Sequence, residues 1–99
     1  MNIGARAFEP DAGRAIVIEN SGSTYVAPND GWVCTQAVST AAGAYANLYT
    51  EAVTVSETVP YEGNTVQVFI PVKKGDTVHM YEGSVKSLVR KFLPALGGG

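Results

Sequence analysis

Apolar and polar residues alternate with a period of two along most of this chain, and clusters of Gly, Pro, Asn, Asp and Ser interrupt the alternation at short intervals. Successive side chains of a strand point to opposite faces of a sheet, so this pattern predicts short β-strands joined by turns. Ala15 to Glu19 reads as a first strand, ended by the turn cluster Asn20-Ser21-Gly22-Ser23. Thr24 to Ala27 resumes the extended course and runs into Pro28-Asn29-Asp30-Gly31, where Pro presets the turn and Gly takes a conformation that a side chain would forbid. In the segment GWVCTQAVS, Trp32, Cys34, Gln36 and Val38 fall on one face and Val33, Thr35 and Ala37 on the other. Neither face is plainly polar, which predicts cover on both sides of its central part.

After the small-residue loop Thr40-Ala41-Ala42-Gly43, an extended path places Tyr45, Asn47, Tyr49, Glu51, Val53 and Val55 on one side. This stretch is longer than the usual strand of about five to six residues, so a break or bulge is expected near Glu51-Ala52. A helix rivals it because of the alanines, but Gly43 and the Thr/Val-rich continuation favour a strand. Further on, Val66, Val68 and Ile70 alternate with Thr65, Gln67 and Phe69, Lys73-Lys74-Gly75-Asp76 turns, and Thr77 to Tyr81 alternates again, which reads as a hairpin. Pro71 has no N–H to give, so its end of the strand belongs on an edge or at a terminus. Glu82-Gly83-Ser84 reverses the chain once more. The last strand, Ser84 to Leu93, carries Val85, Val89 and Leu93 on one face, with Leu88 and Phe92 beside Lys86 and Arg90 on the other.

The organisation expected is an N-terminal arm over 1–14, one β-domain over 15–94 and a flexible tail over 95–99. Thirteen Val, four Ile and eight Thr against four Leu agree with an all-β class, an antiparallel β-sandwich of seven or eight strands. Ninety-nine residues suffice for one core and not for two.

Charge and chemistry narrow the function. Seven Lys/Arg against nine Asp/Glu leave no basic footprint for nucleic acid or an anionic membrane. A single Cys and a single His exclude an internal disulfide and a multi-histidine metal site within one chain. No apolar run is long enough to span a bilayer, and MNIGARAFEPDAG lacks the start of a secretory signal, so a soluble protein is expected. His79 has no carboxylate two residues away to orient it and reads as a surface or cross-strand histidine rather than a general base. Cys34 reads as a small buried hydrophobe. Asp30 and Asp76 are isolated turn residues, expected to bond backbone and not calcium. No nucleophile elbow or phosphate loop occurs, so no enzymatic activity, metal or cofactor is expected.

Two phrases carry a resemblance. Tyr25-Val26-Ala27-Pro28-Asn29-Asp30-Gly31-Trp32 resembles the early strand motif of C1q/TNF-like jelly rolls, and Val72-Lys73-Lys74-Gly75-Asp76-Thr77-Val78 resembles their late Lys-Gly-Asp hairpin. The chain is shorter than a typical C1q domain, and Val26 stands where Thr is usual. Biotinyl and lipoyl carriers use similar pieces, but close together and with a modifiable lysine at a hairpin tip, an arrangement this chain does not have. Together with the ending Val89-Arg90-Lys91-Phe92-Leu93-Pro94, the motifs are similar to those of small bacteriophage and prophage structural proteins such as fibre tips, spikes and capsid decorations. The resemblance implies a compact jelly roll and a homotrimer in a virion, made in the host cytoplasm and docked to other virion proteins through the arm 1–14, with host-surface glycan as a further partner. Trp32, Tyr45, Tyr49, Val53 and Phe92 are the candidates for the subunit interface or a ligand surface. The rival reading is a carbohydrate-binding sandwich module, with Trp32, Tyr45 or Tyr49 as a platform for a sugar ring.

Overall fold

The computed structural model describes residues 10–96. Its eight strands are β1 (Ile16–Ile18), β2 (Thr24–Val26), β3 (Gly31–Ser39), β4 (Ala44–Tyr49), β5 (Thr54–Val59), β6 (Thr65–Val72), β7 (Thr77–Gly83) and β8 (Val85–Pro94). They form two antiparallel sheets, in the orders β1-β8-β3-β6 and β2-β7-β4-β5, that face each other as a sandwich. Only β4 and β5 are both consecutive in sequence and bonded to each other; every other strand finds its partners at long range.

The alternation read from the sequence places the core. Val66, Val68, Ile70 and Val72 of β6 point inward and are buried, while Thr65, Gln67, Phe69 and Pro71 between them are exposed. Val33, Thr35, Ala37 and Ser39 of β3 do the same from the neighbouring strand, and Ala44, Ala46, Leu48, Val78 and Met80 meet them from the opposite sheet. Phe92 is fully buried among these side chains, with Tyr25 tilted against its ring. Truncating a buried ring of that size costs about 3–5 kcal/mol, so Phe92 belongs to the stability of the fold. It is not a surface residue, which removes it from the candidates for an interface or ligand surface.

Four features differ from the alternation reading. First, the interruption expected near Glu51-Ala52 is a break, and a complete one: the chain reverses over residues 50–53 and β4 and β5 are separate strands. The Thr50 Oγ1 accepts from the N–H groups of Ala52 (3.2 Å) and Val53 (3.3 Å), and Thr50 N–H bonds the Val53 carbonyl, which closes a tight turn. The reversal resets the register, so Val55 lies opposite the buried Leu48, and it packs with Val53 against the core instead of sharing the face of Tyr45 and Tyr49. Secondly, Lys73 to Asp76 does turn the chain, but β6 and β7 lie in different sheets and do not form a hairpin. Alternation specifies which face a residue takes and not which strand it pairs with. Thirdly, the β3–β8 register shifts between Gln36 and Val38, and Ser84 and Ser87 adopt positive φ. This bulge changes parity along β8: Val85 packs inward before it, Val89 faces outward after it, and Arg90 turns into the sandwich while Lys86 stays exposed. Fourthly, Gly31 begins β3 without a positive φ. It is required by space, since a Cβ there would lie 2.3 Å from the Leu93 carbonyl oxygen.

Residues 1–9 of the expected arm and 97–99 of the tail lie outside the described residues. From Pro10 onward the arm is held by the end of β8: Pro10 bridges Ala95, the Asp11 N–H donates to the Pro94 carbonyl, and Arg14 pairs with Asp11 at 2.7 Å. Ala95, placed in the tail by the sequence reading, is buried and donates its N–H to the Asp30 carbonyl.

Candidate functional site

Three connections converge at one end of the sandwich, residues 27–30, 50–53 and 73–76. The first and the last bond each other, while 50–53 is closed by its own bonds. The Ala27 N–H donates to the Asp76 carbonyl (2.9 Å) and the Gly75 N–H to the Ala27 carbonyl (2.8 Å). The Asp30 Oδ1 accepts from the Lys74 N–H and the Asp76 Oδ2 from the Lys73 N–H, each at 2.9 Å. The expectation that these two aspartates bond backbone is met, and the result is a hydrogen-bonded loop cluster joining both sheets.

That cluster walls a cleft of about 530 Å³ lined by Trp32, Pro71, Val72, Ala52 and Val53 on its apolar side and by Thr50, Glu51, Lys73 and Asp76 on its polar side. Trp32 is half-buried and lies beside Pro71 of β6 and Leu93 of β8 in the cross-strand register. Pro71 comes just before the end of an edge strand, where its missing N–H breaks little of the ladder. A second, more polar hollow adjoins the cleft, sharing Thr50, Glu51 and Asp76 and extending to Thr77 and His79. Trp32 and Val53, two of the candidates, are thus brought together.

Tyr45 and Tyr49 lie elsewhere, on the outward face of the β2-β7-β4-β5 sheet. Inward residues alternate with this face, leaving Thr24 and Val26 of β2, Thr77, His79 and Tyr81 of β7, Tyr45, Asn47 and Tyr49 of β4, and Thr54, Ser56 and Thr58 of β5 to form it. No Lys, Arg, Asp or Glu stands at these positions. Tyr49 stacks on its cross-strand partner His79 with ring centroids 4.4 Å apart and planes 7° from parallel, and Tyr81 stacks on its other neighbour position at 6.0 Å. His79 is therefore the cross-strand histidine that the sequence predicts. A hydrogen bond to Tyr81 holds the Tyr49 phenol proton and raises its pKa. A sugar ring stacks on an open aromatic face, and the face of Tyr49 is taken by His79. Tyr45 leans over Gly83, where an added Cβ would meet its ring at 2.3 Å.

Two groups complete the chemistry. Cys34 is buried on the outward side of β3, where desolvation pushes its thiol pKa up against smaller opposing effects of Gln67 and Lys91. Arg90, placed by alternation on the face of Phe92, is buried like that ring and makes a two-pronged ion pair with Glu82 at 2.6 and 2.8 Å while donating to the Gly22 carbonyl. The pair joins β8 of one sheet to β7 of the other. The place of Arg90 two residues before Phe92, on the same strand face, is the local signal of its burial, and nothing local points to Glu82 as its partner. Among the described residues no group of three His, Cys, Asp or Glu side chains comes together that could hold a metal ion.

No protein-family model matches the chain, and no curated protein sequence matches it either.

Proposed function

We propose that this chain is a non-enzymatic structural protein of a bacteriophage or prophage virion, a jelly roll that assembles as a homotrimer and serves as an attachment or decoration module. The strand orders β1-β8-β3-β6 and β2-β7-β4-β5 support the jelly-roll reading, because they are what two interleaved Greek keys produce. The motifs at 25–32 and 72–78 support the C1q/TNF-like relationship. The observation that carries the assembly is the uncharged face around Tyr45, Tyr49 and Tyr81. Interface cores are depleted in charge and enriched in Tyr, whose ring buries apolar area while its hydroxyl keeps a partner. The outward face of the other sheet exposes Val17, Phe69 and Val89, but Lys86 and Lys91 stand among them and would meet like charges around a symmetry axis.

Replacing Tyr49 by Glu tests this reading, since a carboxylate forced into a dry contact costs several kcal/mol unless it is paired. The expected result is a shift from trimer to monomer with the β-sheet circular dichroism retained; an unchanged mass would exclude this face as the interface. The virion role has its own test in mass spectrometry of particles purified from the host. The chain should copurify with them in a multiple of three copies, and particles that lack it would contradict the assignment.

A further inference from the structure

The geometry points to a saccharide-binding site in the loop-end cleft, one that takes a short, uncharged oligosaccharide with Trp32 as its stacking ring and Glu51 and Asp76 as hydroxyl acceptors. This goes beyond the assembly reading: one copy of the chain builds the whole cleft, and the cleft lies apart from the tyrosine face.

The chemistry of the lining selects the ligand class. A volume of about 530 Å³ falls within the range of about 300 to 1,000 Å³ typical of small-molecule sites. Its floor is apolar, made by Trp32, Pro71, Ala52 and Val53, and its rim carries Glu51, Asp76 and Thr50. A sugar has this same duality, with C–H faces that stack on an aromatic ring and hydroxyls that donate to carboxylates in charge-assisted bonds. A phosphate or other anion would meet two carboxylates against the single Lys73. A quaternary or alkylammonium ligand calls for a cage of several aromatic rings, and among the described residues Trp32 is the one ring lining this cleft.

The site is also built before any ligand arrives. Asp76 is oriented by the Lys73 N–H, residues 50–53 by the Thr50 hydroxyl oxygen, and residues 73–76 by Asp30 and Ala27. Asp76 and the turn backbones, held in this way, lose little conformational freedom on binding, while the exposed Glu51 side chain is ordered by the ligand itself. The adjoining hollow toward Thr77 and His79 extends the polar rim in the direction a longer glycan would run.

Trp32 is the only tryptophan of the chain, so its fluorescence reports on the site directly. The full chain is titrated separately with cellotriose, maltotriose and chitotriose up to about 10 mM, a range that detects dissociation constants near the weak limit of specific binding. At least one of the three should change the Trp32 emission saturably and protect it from iodide quenching. Glu51→Ala, in an exposed turn, should weaken that binding about tenfold or more by calorimetry while leaving the melting temperature unchanged. If none of the three sugars alters emission or quenching in the folded protein, or if Glu51→Ala binds as tightly as the wild type, the proposal is wrong. A proline-rich peptide that binds where the sugars do not would also overturn it and assign the cleft to protein recognition. The trimer is measured by mass, so either reading can fail without the other.

Discussion

Arg90 and Glu82 bring two charges into the sandwich, where each is tolerable only because of the other. Removing one partner leaves a buried charge without compensation, which typically costs about 3–5 kcal/mol. Glu82→Ala should therefore lower the denaturation midpoint sharply, whereas replacing both residues together by apolar side chains of similar volume should restore most of the loss. Equal losses for the single and double variants in a urea titration would show that the pair itself matters little. At Cys34 and Tyr25 burial acts in the other direction, favouring the neutral forms and raising both pKa values. The folded chain then holds these protons more tightly than the unfolded chain does. The stability they contribute is complete below the ordinary thiol and phenol ranges, about pH 8.5 and 10, and is lost as the pH rises through the folded-state values. Thermal unfolding should accordingly be insensitive to these groups near neutrality and should ease above about pH 9, with Cys34 reacting slowly toward thiol reagents in the native state. Rapid native-state labelling of Cys34 would contradict this burial.

Among the strands, β3 and β6 were legible because each alternates without interruption over its length and one of its faces is buried almost continuously. The segments β5 and β8 were not, because a turn at 50–53 and a bulge at Ser87 each reset the parity on which the reading depends. For the same reason Val53 moved from the tyrosine face to the cleft, and Lys86 parted from the face of Arg90 and Phe92. The pairing of β6 with β3 instead of β7 left no local trace, since bonds within 73–76 close the turn but those that aim it go to residues 27 and 30, far away in sequence. The cleft was half visible: Trp32 and Val53 stood among the candidates, while Glu51 read as one more position of an extended path and Asp76 as an isolated turn residue until the fold juxtaposed them. Where β4 meets β7, Gly83 leaves the space that the Tyr45 ring fills. Gly83→Ala should displace that ring and destabilise the chain by about 1–3 kcal/mol, as overpacking does. The cost should shrink when Tyr45 is also truncated, and a double-mutant cycle with no coupling would show that the two do not compete for that space.

Across the whole molecule the five candidate residues occupy three separate places: a core position at Phe92, a cleft at Trp32 and Val53, and a face at Tyr45 and Tyr49. The sandwich completes its own core from residues of both sheets, so its assembly is argued from the face and not from any shortage of interior. An aromatic face without charge is stabilised by a second copy in proportion to the apolar area removed from water, about 25 cal/mol for each Å². Because a partner that binds only the folded chain stabilises it by mass action, melting should rise with protein concentration. Sedimentation equilibrium of the wild-type chain at micromolar concentration tests this most directly. A trimer through the tyrosine face gives a single species of three times the 10.4 kDa chain mass that dissociates on dilution or on substitution at Tyr49, and a stable monomer over the whole concentration range would contradict it.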